Sequence, residues 1–570
     1  LAETRSAGTT LVLFAILPAL LLAPFLDKPF NIDDTLFVRA ARQIRLDPLR
    51  PYDFAINWET RSEPMWNVTA NPPLTAYVLA AAFSIGGETE SAAHAALLPF
   101  AMASASLVYW LARRYTARPA AAAALFVVSP AFLVCAGSAM SDVPALAFAL
   151  AALALAHDDS TRPSIARALL SGLCLGIASV AKYQSIVLIV VVGAIYASQR
   201  RSPASWAALL AGFAAPSLAW AALGVATHGS AHLVDTMARG GRGGLDPWPI
   251  ARRAISAATF AAAALVSPLV IVPAVAARRR AASLALAAGI AAAAVALLLF
   301  KLGRPRRPEL VYLTEGSTLV IAVCLAIVVL GALMLARSIL RRRRAHSSEA
   351  GERDLGRGDS SPARLASVEL LAIWALVVPA YVVVATYWVA VRYLLPSLCA
   401  IAILEVIAIE RTFVSERTRR WILTASIAVT AAMGISVSMA ENRFARFYKD
   451  GALDALALVP HGSRVLFDGH WGFQYYLERA GLGPVEFDVD ELRAGDYLLL
   501  SEQTRSLDPG EYPGAFSIVK LIEAPPGIPI VTMHRRVNAG FHADLYGLLP
   551  FVLSTQSPDR IAVFRVNDRF

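Results

Sequence analysis

Residues 11–26 read LVLFAILPALLLAPFL, and residues 27–44 continue DKPFNIDDTLFVRAARQI. The first stretch is uncharged and long enough to enter a hydrocarbon core about 30 Å thick. Arg5 precedes it, as in a secretory signal. No small-residue cleavage site stands before the acidic pair, so the run reads as a retained first helix. The second stretch places Asp33 and Asp34 just beyond the membrane, at the start of an amphipathic segment. An Asp in that position serves equally well as a helix N-cap, which accounts for one carboxylate and leaves its neighbour without a task.

The rest of the chain repeats the first stretch. Of 570 residues, 57% are hydrophobic and only 16% charged, with a mean hydropathy of +0.55, which excludes an ordinary soluble domain. The apolar runs are rich in Ala, Leu and Val and lack the alternation of a barrel, so the expected class is a polytopic all-α membrane protein. A net charge of +10 could suggest nucleic acid, but the basic residues stand in short clusters between apolar runs: Arg113-Arg114, Arg200-Arg201, Arg278 to Arg280 and Arg341 to Arg344. That distribution is a topology signal and argues against nucleic acid as a partner. Cys135, Cys174, Cys324 and Cys399 all lie in apolar runs without paired spacing, so neither disulfides nor a cysteine metal site is expected.

Spans are expected near 10–27, 92–112, 119–137, 142–157, 164–181, 184–199, 205–227, 254–276, 281–300, 317–337, 366–387, 393–410 and 421–439, about 13 in all. With the N-terminus in the cytoplasm, every strong Arg cluster then lies on the cytoplasmic side. Counting Pro72 to Gly87 as a further span would reverse each later loop, so that stretch is read as re-entrant or juxtamembrane. The transmembrane domain is expected over 1–440, with a first outer loop at 28–91 and a flexible cytoplasmic linker at 338–364. Residues 441–570 carry strand-like pieces (RVLFDG, DYLLLSE, RIAVFRV) and a helix-like WGFQYYLERAG, which predicts a soluble α/β domain on the outer, periplasmic side.

Loop parity brings Asp33-Asp34, Asp142, the ARGGRGG loop at 238–244 and Arg392-Tyr393 to one face. Ionisable groups held near membrane depth are costly to desolvate, and those that persist usually face a cavity or carry function. Each also has a plain reading. Asp142 could cap a turn before Pro144, Arg239 and Arg242 could anchor lipid headgroups, and Lys182 could snorkel to the boundary. Tyr52, Trp58 and Tyr77, with Asn71 and Pro72 beside them, could be interface residues or the wall of a groove for a sugar or polyprenyl chain. No P-loop, zinc-protease, serine-hydrolase or CxxC motif is present.

Six motifs in order carry a resemblance: FNIDDTLFVRAARQI, NPPLTAYVLAAAFSIGG, the Arg-Arg-ended span, SPAFLVCAGSAMSDVPALAFALAALALA, SGLCLGIASVAKYQSIVLIV and VRYLLPSL. Over residues 10–440 the chain resembles the family 39 glycosyltransferases, bacterial relatives of protein O-mannosyltransferases and of the lipid A aminoarabinose transferase. The resemblance implies a GT-C fold, a polyprenyl-phosphate-sugar donor and a lipid, glycan or protein acceptor at the outer face of the bacterial inner membrane. It also implies that Asp33 is the general base and that Asp34 and Asp142 position acceptor or charge. Lys182, Arg392, Tyr393, Arg239 and Arg242 would then hold the donor phosphate, and Tyr52, Trp58, Asn71, Pro72 and Tyr77 would form the substrate groove. The family's usual Asp-Glu is Asp-Asp here, which shortens the reach of the second carboxylate. No cofactor is expected; a divalent ion at the carboxylates is weighed and not favoured, because no His cluster accompanies them. The competing class is a transporter or flippase for a lipid-linked glycan, which would call for mid-span charges or an internal repeat.

Overall fold

The computed structural model describes residues 2–157, 164–240, 247–303, 307–350, 363–487 and 489–568. Among them, eight helices are long and apolar enough to cross a membrane, or up to ten if each of two bent helix pairs is one span. The thirteen expected segments all fall on helix, but Asp142–Ala156, Ile165–Ala181 and Tyr183–Ser198 are shorter than a free-standing span. A 15-residue helix such as Asp142–Ala156 rises about 22 Å, well short of the hydrocarbon core. That helix is buried along nearly its whole length, so its neighbours and not lipid set its dimensions. The stretch 72–87 forms the 13-residue helix Leu74–Gly86, which alone is also too short to cross.

Both bent pairs have local causes. Pro119–Val127 and Pro130–Ala136 meet at 59° because the residue before a proline is driven out of helical geometry. Ser129 is extended there (φ −72°, ψ 151°), and its hydroxyl accepts from the Phe132 N–H at 3.2 Å, which starts a new helix. Gly434 of the long helix Glu416–Ala457 lies against this break; a Cβ there would be 2.1 Å from the Val128 carbonyl oxygen. The second pair, Trp248–Leu265 and Ser267–Ala276, turns through 93° at Val266, a β-branched residue at φ +66°. Such a backbone is strained and needs external support. Ser267 supplies it by donating to the buried Glu405 carboxylate at 2.5 Å.

Helices Ile165–Ala181 and Pro203–His228 cross through glycine. A Cβ on Gly172 would lie 2.0 Å from the Leu209 carbonyl oxygen, one on Gly176 2.5 Å from that of Phe213, and one on Gly212 2.3 Å from that of Leu169. Small residues four apart let membrane helices pack backbone to backbone. The four cysteines are free.

Two expected boundaries shift. Helix Glu315–Ala350 runs on past 338, where the linker was expected to begin, since the arginines that follow the span are themselves good helix formers; residues 351–362 lie outside the described residues. The boundary at 440/441 falls inside the 42-residue helix Glu416–Ala457, whose later turns bury Phe444, Phe447 and Tyr448. Those aromatics pack on helix Trp471–Arg479 and on a five-stranded sheet. The strands run in the order Gly483–Pro484, Val465–Asp468, Tyr497–Ser501, Arg560–Val566, Phe516–Glu523. Pairing is parallel across the first three strands and antiparallel across the rest. Phe30, Ile32, Phe37, Tyr448, Trp471, Tyr475, Leu499 and Ile561 belong to a single hydrophobic cluster, so the first outer loop and the C-terminal unit share a core.

The glycine crossing can be tested directly. Gly172→Ala should lower the melting temperature in detergent by several degrees, an overpacking cost of about 1–3 kcal/mol, whereas Gly8→Ala, with nothing within 4 Å, should not. Equal melting temperatures for the two variants would refute the close crossing.

Candidate functional site

The site is built from the chain just after the first apolar helix. Ile32 sits at φ +50°, a left-handed turn that separates two neighbouring carboxylates before helix Asp34–Leu46 begins. Asp33 occupies the N-cap position but makes no side-chain cap bond. Instead it accepts from Arg392 Nη2 at 2.7 Å while keeping 22% of its side chain exposed. Asp34 turns inward, is wholly buried, and accepts from the Asn31 N–H at 3.2 Å. Burial pushes its carboxyl up to about 6, against the opposing pull of the Lys28 ammonium and the Asn31 N–H. Lys28, itself buried, donates to Ser138 Oγ at 3.1 Å. The two aspartates thus do different work.

Arg392 opens helix Val391–Thr412 and is 7% exposed. Its guanidinium carbon lies 5.4 Å from the centre of the Tyr393 ring, and Lys182 Nζ lies 4.6 Å from the same ring. Lys182 closes helix Ile165–Ala181 and forms an ion pair with Asp142, which opens helix Asp142–Ala156. Two cations therefore flank one tyrosine, and each is matched by one carboxylate. Aromatic faces attract cations, so Tyr393 holds together two positive groups that would otherwise repel. Asp142 is not acting as the turn cap that its sequence allowed.

Of the predicted groove residues, Tyr52, Asn71 and Pro72 stand together, while Trp58 packs elsewhere. Tyr52 is buried against Trp66, Trp220 and His232, and its hydroxyl donates to the Asn71 carbonyl at 2.6 Å. Pro72 is buried, Trp58 lies against His470 at 5.7 Å, and the Tyr77 hydroxyl donates to the Pro48 carbonyl. These are contacts that hold the loop closed on its neighbours, because aromatic rings flanked by other aromatics gain more from packing than from solvent. Asn71 alone approaches the site, with Ser141 Oγ donating to its Oδ1 at 3.5 Å. Arg239 is also spent on the loop, donating to the Trp66 carbonyl at 3.0 Å and to Asn67 Oδ1 at 3.2 Å. Arg242 lies outside the described residues. Among the described residues no group of three or more His, Cys, Asp or Glu side chains could hold a metal ion.

Two residues absent from the predicted set stand behind Arg392. His542 Nδ1 faces Arg392 Nη1 at 3.4 Å, and its Nε2 faces Glu441 Oε2 at 3.0 Å. Nothing local in the sequence joins the two, since Glu441 lies 101 positions from His542.

Residues 70–221 match the family model described as dolichyl-phosphate-mannose-protein mannosyltransferase. That range is shorter than the 10–440 of the sequence resemblance; it contains Asn71, Tyr77, Asp142 and Lys182 but neither Asp33 nor Arg392. No curated protein matches the chain. Among solved structures, ArnT from Cupriavidus metallidurans bound to undecaprenyl phosphate is 14% identical, with 97% of each chain covered and a TM-score of 0.43. The S. cerevisiae protein O-mannosyltransferase Pmt1-Pmt2 complex bound to the sugar donor is 16% identical over 40% of this chain and 34% of that one, at a TM-score of 0.31. Arabinofuranosyltransferase AftD from Mycobacteria is 12% identical over 98% of this chain and 40% of its own, at 0.36. Likenesses at these scores are too distant to assign a fold or an activity.

The split between the aspartates has a pH signature. A carboxyl raised by burial favours the folded state below its unfolded value of 3.8, and that contribution is lost as pH rises through about 6. Asp468 and Asp559 are raised by burial to about 6 as well and act in the same window. Asp34→Asn should therefore flatten, without abolishing, the decline in stability between pH 4 and 7, by on the order of 2 kcal/mol. Thermal unfolding across that range reads it, and a slope identical to wild type would show that Asp34 is not buried as described.

Proposed function

We propose that the chain is a membrane glycosyltransferase of GT-C type that moves a sugar from a polyprenyl-phosphate donor to a hydroxyl acceptor. The observation that carries this reading is the pairing of two cations with two carboxylates across Tyr393: Asp33 with Arg392, and Asp142 with Lys182. Glycosyl transfer from a phosphate needs both kinds of group. A carboxylate accepts the acceptor's hydroxyl proton, that oxygen bonds to the anomeric carbon, and the carbon–oxygen bond to phosphate breaks with its electron pair passing to the phosphate. Cations held ready at the departing phosphate lower the cost of that charge. Asp33 is the base in this scheme, because it alone of the paired aspartates keeps appreciable exposure. Arg392 and Lys182 receive the phosphate, and Asp142 steadies Lys182 and the positive character developing on the sugar. The mechanism is read as inverting by analogy with the resembled family.

The match of residues 70–221 to a mannosyltransferase family model supports the same reaction class. The Arg clusters expected on the opposite side of the membrane support a reaction at the outer face of a bacterial inner membrane. A flippase for a lipid-linked glycan is the alternative. It would draw on the buried Glu405, but that carboxylate is bonded to Ser267 at the bend of a neighbouring helix pair and has a structural task there.

Transfer of labelled sugar from a polyprenyl phosphate by purified protein tests the proposal. Asp33→Asn should reduce turnover by about 10²–10⁴-fold and Arg392→Gln by about 10²–10³-fold, with Asp53→Asn on the exposed surface as the unaffected control. Undiminished transfer by Asp33→Asn would remove Asp33 from the base role, and no transfer from any donor would favour the flippase.

A further inference from the structure

The reaction sets Arg392 a problem. Its carboxylate partner, Asp33, has to turn to the acceptor hydroxyl, and a nearly buried guanidinium cannot then be left without a fixed contact. On the reading of the site given above, we infer that His542 is the positioning residue for Arg392. A neutral imidazole, braced from behind by Glu441, would keep the guanidinium aimed at the donor phosphate while Asp33 works.

The tautomer follows from the partners. Arginine has only N–H donors, so the nitrogen facing it, Nδ1, accepts, and Nε2 carries the hydrogen donated to Glu441 Oε2 at 3.0 Å. His542 is 4% exposed and Glu441 3%, so neither is a surface group placed there by chance. The 3.4 Å contact to Arg392 is long for a hydrogen bond, leaving the guanidinium free to tighten on either Asp33 or the imidazole.

The backbone delivers His542 to this position. The Val391 N–H donates to the Phe541 carbonyl at 2.9 Å, tying the residue before Arg392 to the residue before His542. Phe541 N–H in turn donates to the Thr532 carbonyl at 2.8 Å. Two residues on, Asp544 is locked on both sides. Its N–H donates to the Val389 carbonyl at 2.9 Å, its carboxylate accepts from the Val389 N–H at 3.0 Å, and Arg252 Nε donates to it at 3.1 Å. The C-terminal segment 541–544 is thus fastened along 389–391, which fixes where the imidazole stands beside the guanidinium. On this account the C-terminal unit is part of the reaction site and not an appendage to it.

The test compares His542→Leu, which fills similar space without an acceptor, with His542→Asn, whose Oδ1 takes the place of Nδ1. Binding of undecaprenyl phosphate by the full-length purified chain is read beside the melting temperature. Loss of one hydrogen bond to a charged group predicts about tenfold weaker binding for His542→Leu, with His542→Asn recovering most of it. A merely structural histidine would instead lower the melting temperature of both variants and leave binding by the folded fraction unchanged, which overturns the inference, as does an Asn variant no better than Leu. Should the Leu variant not fold, His542→Ala with added imidazole replaces it; binding that strengthens with imidazole supports the inference and binding indifferent to it refutes it. Wild-type protein that binds no undecaprenyl phosphate would overturn the glycosyltransferase reading itself, and the inference with it.

Discussion

Arg392 lies at the first turn of a membrane helix with 7% of its surface exposed, in surroundings where an unpaired charge would cost several kcal/mol. Its contact with Asp33 joins positions 359 residues apart, and that requirement propagates. To reach Arg392, Asp33 must stand at a turn where Ile32 is left-handed and Asp34 faces the opposite way. To hold that turn, Asn31 and Phe30 are bonded to helix Trp471–Arg479: Asn31 Oδ1 accepts from the Gly472 N–H at 3.3 Å, and the Tyr476 hydroxyl accepts from the Phe30 N–H at 2.9 Å. A side chain at position 472 would sit 2.7 Å from the Phe30 carbonyl oxygen, so the approach depends on glycine. Along helix Asp34–Leu46, Arg39 pairs with Glu478 of helix Trp471–Arg479, and Arg42 with Glu88. The outer parts of the chain are thereby bound to the pair of charges that they surround.

The arrangement is balanced and for that reason closed. Each cation beside Tyr393 already has a carboxylate, so on the proposed reading a donor phosphate gains its place by exchange and not by filling an empty positive site. Exchange at a low dielectric costs less than creating a new charge, since the guanidinium passes from one anion to another without an unpaired interval. It also sets an order. On the proposed reading Asp33 is engaged by Arg392 until the phosphate takes its place on the guanidinium. Donor before acceptor is the order that this reading implies.

What the sequence disclosed follows the physics of each signal. Lipid leaves a long-range mark, so apolar runs located the helices, and the ionisable residues beside them singled out Asp33, Asp142, Lys182 and Arg392, which the structure joins as two ion pairs. Helix length was less legible: Asp142–Ala156 and its neighbours are enclosed by protein, where no hydrocarbon thickness imposes a length. The aromatics of the loop at 28–91 were less legible, because Tyr52 and Trp58 have the same composition whether they line a groove or pack against Trp220 and His470. Ser129-Pro130 announced a break but not its angle. His542 and Glu441 could not be joined from sequence at all, since nothing local records which carboxylate a distant imidazole will meet.

The break at Ser129 finally explains why Asp142 is available at depth. Had 119–137 been one straight span, the loop after it would have emerged into the interface, where water weakens an ion pair to at most about 1 kcal/mol. The 59° bend instead folds the second half-helix against Gly434, and the loop that follows is buried from Gly137 to Ser141. Two of its residues, with the first residue of the helix after it, meet three separate parts of the site. Ser138 receives the Lys28 ammonium, Ser141 touches Asn71, and Asp142 holds Lys182. A proline in the middle of an apolar run, costly in an isolated helix, is here the means by which a polar loop is carried below the surface and kept dry enough for its charges to matter.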